Sequence, residues 1–284
     1  MKDEVLEKLE ERLAKGEISE ELYKEIKSRH EKKQQEEVIE EEDIENIEEN
    51  LEDVEESSEG EEKKTKKVKV SGASKLEGVN CETFKGAGAT KVQGNLKADK
   101  ADMAGATKVT GDVEVGDLDS SGSLKVRGKT EGKKFDLSGS SKFEGNVKAE
   151  KIDSSGSLKA KQDVESEAFR GKGATSVSGT LKGEEIHLEQ NGSSKIGEIK
   201  GGDVLVEDSG SGLLSWFKSS GALKCDTITG SEIYLENTKA GTVKGEKVNI
   251  GPGCKIDTVK AGELKIHESA AVKNKKDLKN MEKK

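Results

Sequence analysis

The sequence predicts an all-β chain: a parallel β-helix, triangular in section and of about twelve coils, preceded by a short helical hairpin and an acidic linker. Three observations predict it. Glycine returns every seventeenth residue at Gly88, Gly105, Gly122, Gly139, Gly156 and Gly173, with Gly72 sixteen residues before the first; a fixed period this short is a solenoid signature. Apolar residues keep three registers within that period. Charge divides the chain sharply, with residues 1–62 at net −17 and residues 63–284 at net +8, which together give the overall −9.

Counted from its glycine, each repeat places an apolar residue at +4 (Leu76, Val92, Val109, Val126, Phe143, Ala160, Val177), at +8 (Leu96, Val113, Val147, Val164, Leu181, with Thr130 in the same register) and at +13 (Ala101, Leu118, Phe135, Ile152, Phe169, Ile186). A smaller inward candidate lies two residues from each: Ser, Thr or Leu at +2, Ala98, Val115 and Ala149 at +10, Met103 and Leu137 at +15. Residues two apart face the same side of a strand, so each repeat reads as three short strands with two inward side chains apiece. A second glycine row at +6 (Gly78, Gly94, Gly111, Gly128, Gly145, Gly179) marks a corner that tolerates positive φ. Six inward positions in seventeen suit a chain with 30% hydrophobic residues. A flexible Gly/Ser linker would have no reason to hold three apolar registers in phase. The crossover rule favours the right hand, but β-helices of both hands exist, so the repeat by itself does not fix the handedness.

The pairs Val204/Val206, Ile233/Leu235, Val248/Ile250 and Leu264/Ile266 continue the pattern with gaps of 29, 15 and 16 residues. The 29-residue gap is one coil plus an insertion, Asp208 to Gly221. Twelve coils at the strand spacing of about 4.8 Å make a rod on the order of 55 Å long. The expected divisions are a helical hairpin at 1–33, an acidic disordered linker at 34–66, the β-helix at 67–272 and a basic flexible tail at 273–284.

In the first module Leu6, Leu9 and Leu13 lie at i, i+3 and i+7, and Leu22 and Ile26 at i and i+4. Gly16 stops the first helix and Ser19 caps the second. Two such helices bury too little to stand alone, so their apolar stripes are expected to meet a protein partner or another copy. Residues 36–62 hold 16 acids and no base; such a block repels itself and reads as a solvated tether.

Catalytic patterns are absent. His30, His187 and His267 fall in different regions, and no nucleophile elbow, zincin helix, phosphate loop or dinucleotide fingerprint occurs. The expectation is a non-enzyme without cofactor or metal. The unequal registers +4, +8 and +13 also differ from the six-residue period of hexapeptide acyltransferases. Cys81, Cys225 and Cys254, an odd number at unrelated spacings, read as reduced core or turn thiols of an intracellular protein. No run is long enough to span a bilayer, and no secretory signal is seen.

Two features suggest binding. Lysines at +3 (Lys75, Lys91, Lys108, Lys125, Lys142, Lys159) stack along one edge. Neighbours about 4.8 Å apart repel by roughly 0.9 kcal/mol even in water. The row suits an anionic partner, either acidic lipid or the chain's own acidic tether; it also serves as a solubilising face that discourages lateral pairing. Few arginines and few aromatics argue against nucleic acid. The second feature is Leu213, Leu214, Trp216 and Phe217 in the Gly/Ser-flanked insertion, which suit a membrane interface or a protein contact. Folding back over a coil is the alternative for that loop.

These coils resemble bactofilins, polymer-forming cytoskeletal β-helix proteins. The likeness covers about residues 70–272 and is most specific in DTITGSEIYLENTKAGTVKGEKVNIGPGCKIDTV, Asp226–Val259. It implies a right-handed triangular β-helix joining end to end into nonpolar, nucleotide-independent filaments, often membrane-associated. VLEKLEERLAKGEISEELYKEIKSRH is similar to the SHOCT-type helical module, which implies an oligomerisation or targeting appendage. The chain departs from bactofilins in its long acidic tether and in lacking a short apolar N-terminal anchor. Unpaired backbone at each solenoid end makes Val68, Val70, Leu76 and Phe84 at one end, and Leu264, Ile266 and Val272 at the other, the expected polymer interface. The expected function is a self-assembling structural filament, cytoplasmic or at the inner face of the membrane. The alternative is a non-polymerising scaffold that binds membrane or protein partners.

Overall fold

Strand alternation inside a seventeen-residue repeat leaves one arrangement that buries every apolar register: parallel strands stacked coil on coil. The computed structural model shows this arrangement and describes residues 52–55, 64–208 and 222–277. Its strands are β1 (Glu52–Glu55), β2 (Thr65–Leu76), β3 (Val79–Val92), β4 (Leu96–Val109), β5 (Val113–Ser120), β6 (Ser123–Val126), β7 (Thr130–Leu137), β8 (Ser140–Phe143), β9 (Val147–Ser154), β10 (Ser157–Ala160), β11 (Val164–Gln190), β12 (Ser194–Asp208), β13 (Leu223–Leu235), β14 (Thr238–Ile250), β15 (Lys255–Ile266) and β16 (Ala271–Asp277). From β2 onward every pairing is parallel and joins a coil to the next. The result is an all-β solenoid of about twelve turns, with no helix among the described residues.

Three inward pairs recur in every coil, and we call the surfaces that carry them faces A (+2/+4), B (+8/+10) and C (+13/+15). On face A an unbroken column runs from Leu76 through Val92, Val109, Val126, Phe143, Ala160, Val177, Ile196, Cys225, Ala240 and Ile256 to Val272. The column crosses the 29-residue gap directly, Ile196 pairing with Cys225. Face C does the same from Val68 to Leu264. The core is thus one continuous thread, with Phe84, Phe135, Phe143 and Phe169 fully buried along it. Each such side chain contributes about 1.5–3 kcal/mol by leaving water.

Large and small residues alternate to fill this thin core. A Cβ on Gly132 would lie 2.6 Å from the Phe135 ring, so glycine at +10 makes room for phenylalanine at +13. The +6 glycines, which could take positive φ, do not use it. Within the repeats the positive values fall at Gly72, Gly88, Gly105 and Gly173 of the seventeen-residue row, for example Gly105 at 124°, while the +6 row is glycine because carbonyls crowd it: a Cβ on Gly94 would sit 2.2 Å from the Glu77 carbonyl oxygen. Beside that row, Asn95, Asp112, Asn146 and Asp163 each accept a backbone N–H from the next coil through a side-chain oxygen, at 2.7–3.3 Å. These bonds satisfy donors where the strands turn.

The ends depart from the expected boundaries. The solenoid begins at Thr65, β16 carries it to Asp277, and β1 lies inside the stretch expected to be unstructured. The helical positions Leu6, Leu9, Leu13, Leu22 and Ile26, and the loop residues Leu213, Leu214, Trp216 and Phe217, lie outside the described residues.

Candidate functional site: the solenoid ends and the lysine face

A solenoid exposes backbone only at its two ends, and here the ends differ. At the C-terminal end β16 is the last strand of the sheet, and among the described residues nothing pairs with its outer edge. Leu264 and Ile266 on face C, Ala270, and Val272 on face A are half-buried against the core. Face B ends differently. Lys275 occupies the column held by Val259 one coil earlier, and it is exposed. The terminal surface is therefore apolar on two faces and charged on the third.

At the N-terminal end β1 pairs antiparallel with β2, setting Glu52 opposite Lys69, Val54 opposite Val68 and Glu55 opposite Lys67. The edge of face C is thus occupied by the chain itself, in the direction opposite to every other pairing. Val68 is half-buried, while Val70 and Leu76 keep only 1% and 9% exposure. Phe84 is corrected as an end residue. It lies one coil inside, paired with Val68 in register, and is fully buried. An inward residue of the second coil is covered by the first, so it belongs to the core.

The lysine row is longer than the sequence reading found. Lys75, Lys91, Lys108, Lys125, Lys142 and Lys159 stack as expected, Ser176 follows, and the ladder resumes at Lys195, Lys224, Lys239 and Lys255. The last four were missed because the step between coils changes there; the apolar column of face A one residue further on, Ile196, Cys225, Ala240 and Ile256, is the signal that recovers them. Next to the lysines runs a row of small residues: Ala73, Ala89, Ala106, Ser123, Ser140, Ser157 and Ala174. Toward the C-terminal end, Lys195, Lys224, Lys239 and Lys255 line a shallow groove that also includes Asp226 and Asp257.

Face B handles charge differently. Lys97 pairs with Glu114 at 3.4 Å, and Glu165 lies between Lys148 at 3.9 Å and Lys182 at 3.2 Å. The base of the insertion is also fixed. The Asp208 N–H donates to Glu236 at 3.0 Å, Asn237 Nδ2 donates to Asp208 at 2.6 Å, and the Tyr234 hydroxyl donates to Glu236 at 2.5 Å. That last bond, with burial, pushes the Tyr234 hydroxyl up to about 12.

The three cysteines are buried free thiols. Burial pushes Cys225 up to about 12, and Cys81 and Cys254 up to about 11, so none is an activated nucleophile. His187 is tied to Glu207 at 2.9 Å, and His267 to the Ser269 hydroxyl at 2.9 Å. Among the described residues no group of three or more His, Cys, Asp or Glu is placed to hold a metal ion, and no helix is long and apolar enough to cross a membrane.

No family model matches the chain, and no solved structure matches it. Short stretches are similar to two proteins of Bacillus subtilis (strain 168). Uncharacterized protein YhbF is 50% identical over 42 residues, 15% of this chain and 18% of its own length. Uncharacterized protein YhbE is 46% identical over 57 residues, 20% of this chain and 24% of its own. The matched stretches span about a fifth to a quarter of these relatives.

Proposed function

We propose that this protein is a structural element that assembles end to end into filaments without nucleotide, as its resemblance to bactofilins implies. In this reading the solenoid winds right-handed with a triangular section. The observation that carries it is the C-terminal end: an unpaired parallel edge bordered by half-buried Leu264, Ile266 and Val272. A second copy meeting that surface continues the sheets of faces A and C and covers those side chains. Full burial of one such side chain is worth about 1.5–3 kcal/mol, and these start half-buried, so each adds about 1 kcal/mol. Lys275 on face B works against the contact and limits its strength.

The N-terminal edge is engaged by β1, so growth from that end requires β1 to leave. Membrane association remains part of the proposal, through the insertion between Asp208 and Ala222. The alternative scaffold role shares the solenoid but lacks self-assembly.

The test is pelleting of purified protein at rising concentration without nucleotide, with Ile266→Lys beside it. The reading expects wild type to pellet and the variant to stay in solution. Wild type that remains a monomer at high concentration refutes the filament and favours the scaffold.

A further inference from the structure

The two ends of the solenoid fall at the same place in the repeat. The first coil strand, β2, begins at Thr65, the head of the +10 column that runs on through Cys81 and Ala98. The last, β16, stops at Asp277, in the column of Ala261 and Gly245, which is the +10 column at the other end. The solenoid from β2 to β16 therefore closes a whole number of turns, and its two ends overlap by that one residue. Placing the N-terminal end of a second copy on the C-terminal end of the first, with the coil step kept, sets each column on its own continuation. Val68 lands on Leu264, Val70 on Ile266 and Leu76 on Val272, and every strand stays parallel. No face lacks a strand and none is doubled. On the outside, exposed Glu263 comes beside exposed Lys67, while Lys265 meets Lys69. Face B sets Lys275 over Val79, where the lysine stem can cover the valine and carry its ammonium out to water.

Contacts between like ends lose these matches. Residues 64–80 hold five lysines and one acid, Glu77, so two N-terminal ends repel. Two C-terminal ends turn the strands antiparallel at the joint and set β16, with Lys273, Lys275 and Lys276, against its own copy. We propose that the joint is head to tail: the C-terminal end of one copy takes the N-terminal end of the next, and the filament is polar. The proposal rests on the end-to-end reading above and departs from the nonpolar arrangement that the resemblance to bactofilins implies. A contact between two different surfaces of one chain extends without limit when no ring closes, and a straight solenoid closes none. The same geometry identifies the competitor. β1 lies along the Lys67–Lys69 edge of β2, the edge that the Glu263–Lys265 strand of the preceding copy takes, so each joint exchanges an antiparallel strand for a parallel one.

The test is disulfide trapping in the full chain with K67C and E263C, made separately, the first labelled with heavy isotopes. Both changes fall on exposed outward positions, and the native thiols are buried. Residues stacked at the joint lie about 4.8 Å apart, within the Cα range that a disulfide spans. The mixture is pelleted without nucleotide, oxidised, digested and read by mass spectrometry. The expected result is a disulfide between positions 67 and 263, always heavy to light, with neither variant linking at these positions when alone. Pellets linked 67 to 67 or 263 to 263, or with no link at these positions, overturn the head-to-tail joint and leave the filament standing. Protein that does not pellet overturns both. A second measurement blocks one end at a time, with I266K at the C-terminal end and V68K at the N-terminal end. With unchanged circular dichroism spectra, each should sediment as a monomer alone, and an equimolar mixture should give dimers and nothing larger. V68K that dimerises by itself, or a mixture that stays monomeric where wild type pellets, overturns the proposal.

Discussion

Gly139→Ala should destabilise the solenoid far more than an added methyl group ordinarily does, and Gly78→Ala should not. The Cβ added at Gly139 would lie 1.9 Å from the Gly122 carbonyl oxygen and 2.8 Å from its carbon. Both are backbone atoms of the previous coil, held in the stack by the Ser140 N–H donating to Gly122 at 3.0 Å. No rotamer change relieves the clash, so the coils must separate by more than 1 Å at that corner. Overpacking of this kind costs about 3 kcal/mol or more. At Gly78 the nearest atom to the added Cβ is the Asn95 carbonyl oxygen at 3.7 Å, ordinary contact, and φ is not positive there. Alanine at that site is expected to be neutral or to stabilise by about 0.4–1 kcal/mol through the unfolded chain. For a domain of this size 1 kcal/mol moves the melting temperature by about 2–4 °C. The assay is thermal unfolding by circular dichroism: Gly139→Ala should melt about 6–12 °C lower, and Gly78→Ala within a few degrees of wild type. Equal shifts for the two variants would refute the stacked-coil geometry. So would a broadened transition in Gly78→Ala alone.

Thr107 is buried, and among the described residues its hydroxyl has no partner, so Thr107→Val should raise stability by about 1 kcal/mol, read as a melting temperature about 2–4 °C higher. The three thiols should react with a disulfide reagent no faster than the protein unfolds, because burial suppresses their thiolates; fast reaction of Cys225 in native protein contradicts its burial. Glu144 accepts a hydrogen bond from Lys161 at 3.1 Å, which holds its carboxyl below the usual range. A depressed folded value contributes stability above the unfolded value of about 4.5 and loses it as pH falls through the folded one. The stability difference between wild type and Glu144→Gln should therefore be under about 1 kcal/mol at pH 7 and vanish as pH falls through the depressed folded value. Val54→Pro removes a backbone donor from β1; if β1 guards the N-terminal edge, this variant should pellet at lower concentration than wild type.

The first seven coils were legible because their step is seventeen residues after an opening one of sixteen, so Leu76 through Val177 fall on one register without any knowledge of the fold. Beyond Val177 the step becomes 19, 29, 15 and 16 residues. Inward positions survive such changes because their apolarity marks them, whereas the outward lysines carry no mark of their own. That is why Lys195, Lys224, Lys239 and Lys255 escaped. The corner bonds of Asn95, Asp112, Asn146 and Asp163 escaped for a related reason: short polar side chains beside glycine look like turn residues of any kind. The strand β1 was hidden by composition. An acidic stretch reads as solvated when taken alone, and only the lysines on the facing strand of the first coil make pairing favourable. Phe84 was placed at the end because sequence order puts it early, although the preceding coil covers it.

End-to-end assembly is tested most directly by the diffraction of electron micrographs of the pelleted wild-type material. The account predicts unbranched filaments with a reflection at about 4.8 Å along the filament axis, unaffected by nucleotide and lost with Ile266→Lys. Monomers of about 55 Å with no axial reflection, or filaments that persist in Ile266→Lys, would contradict it.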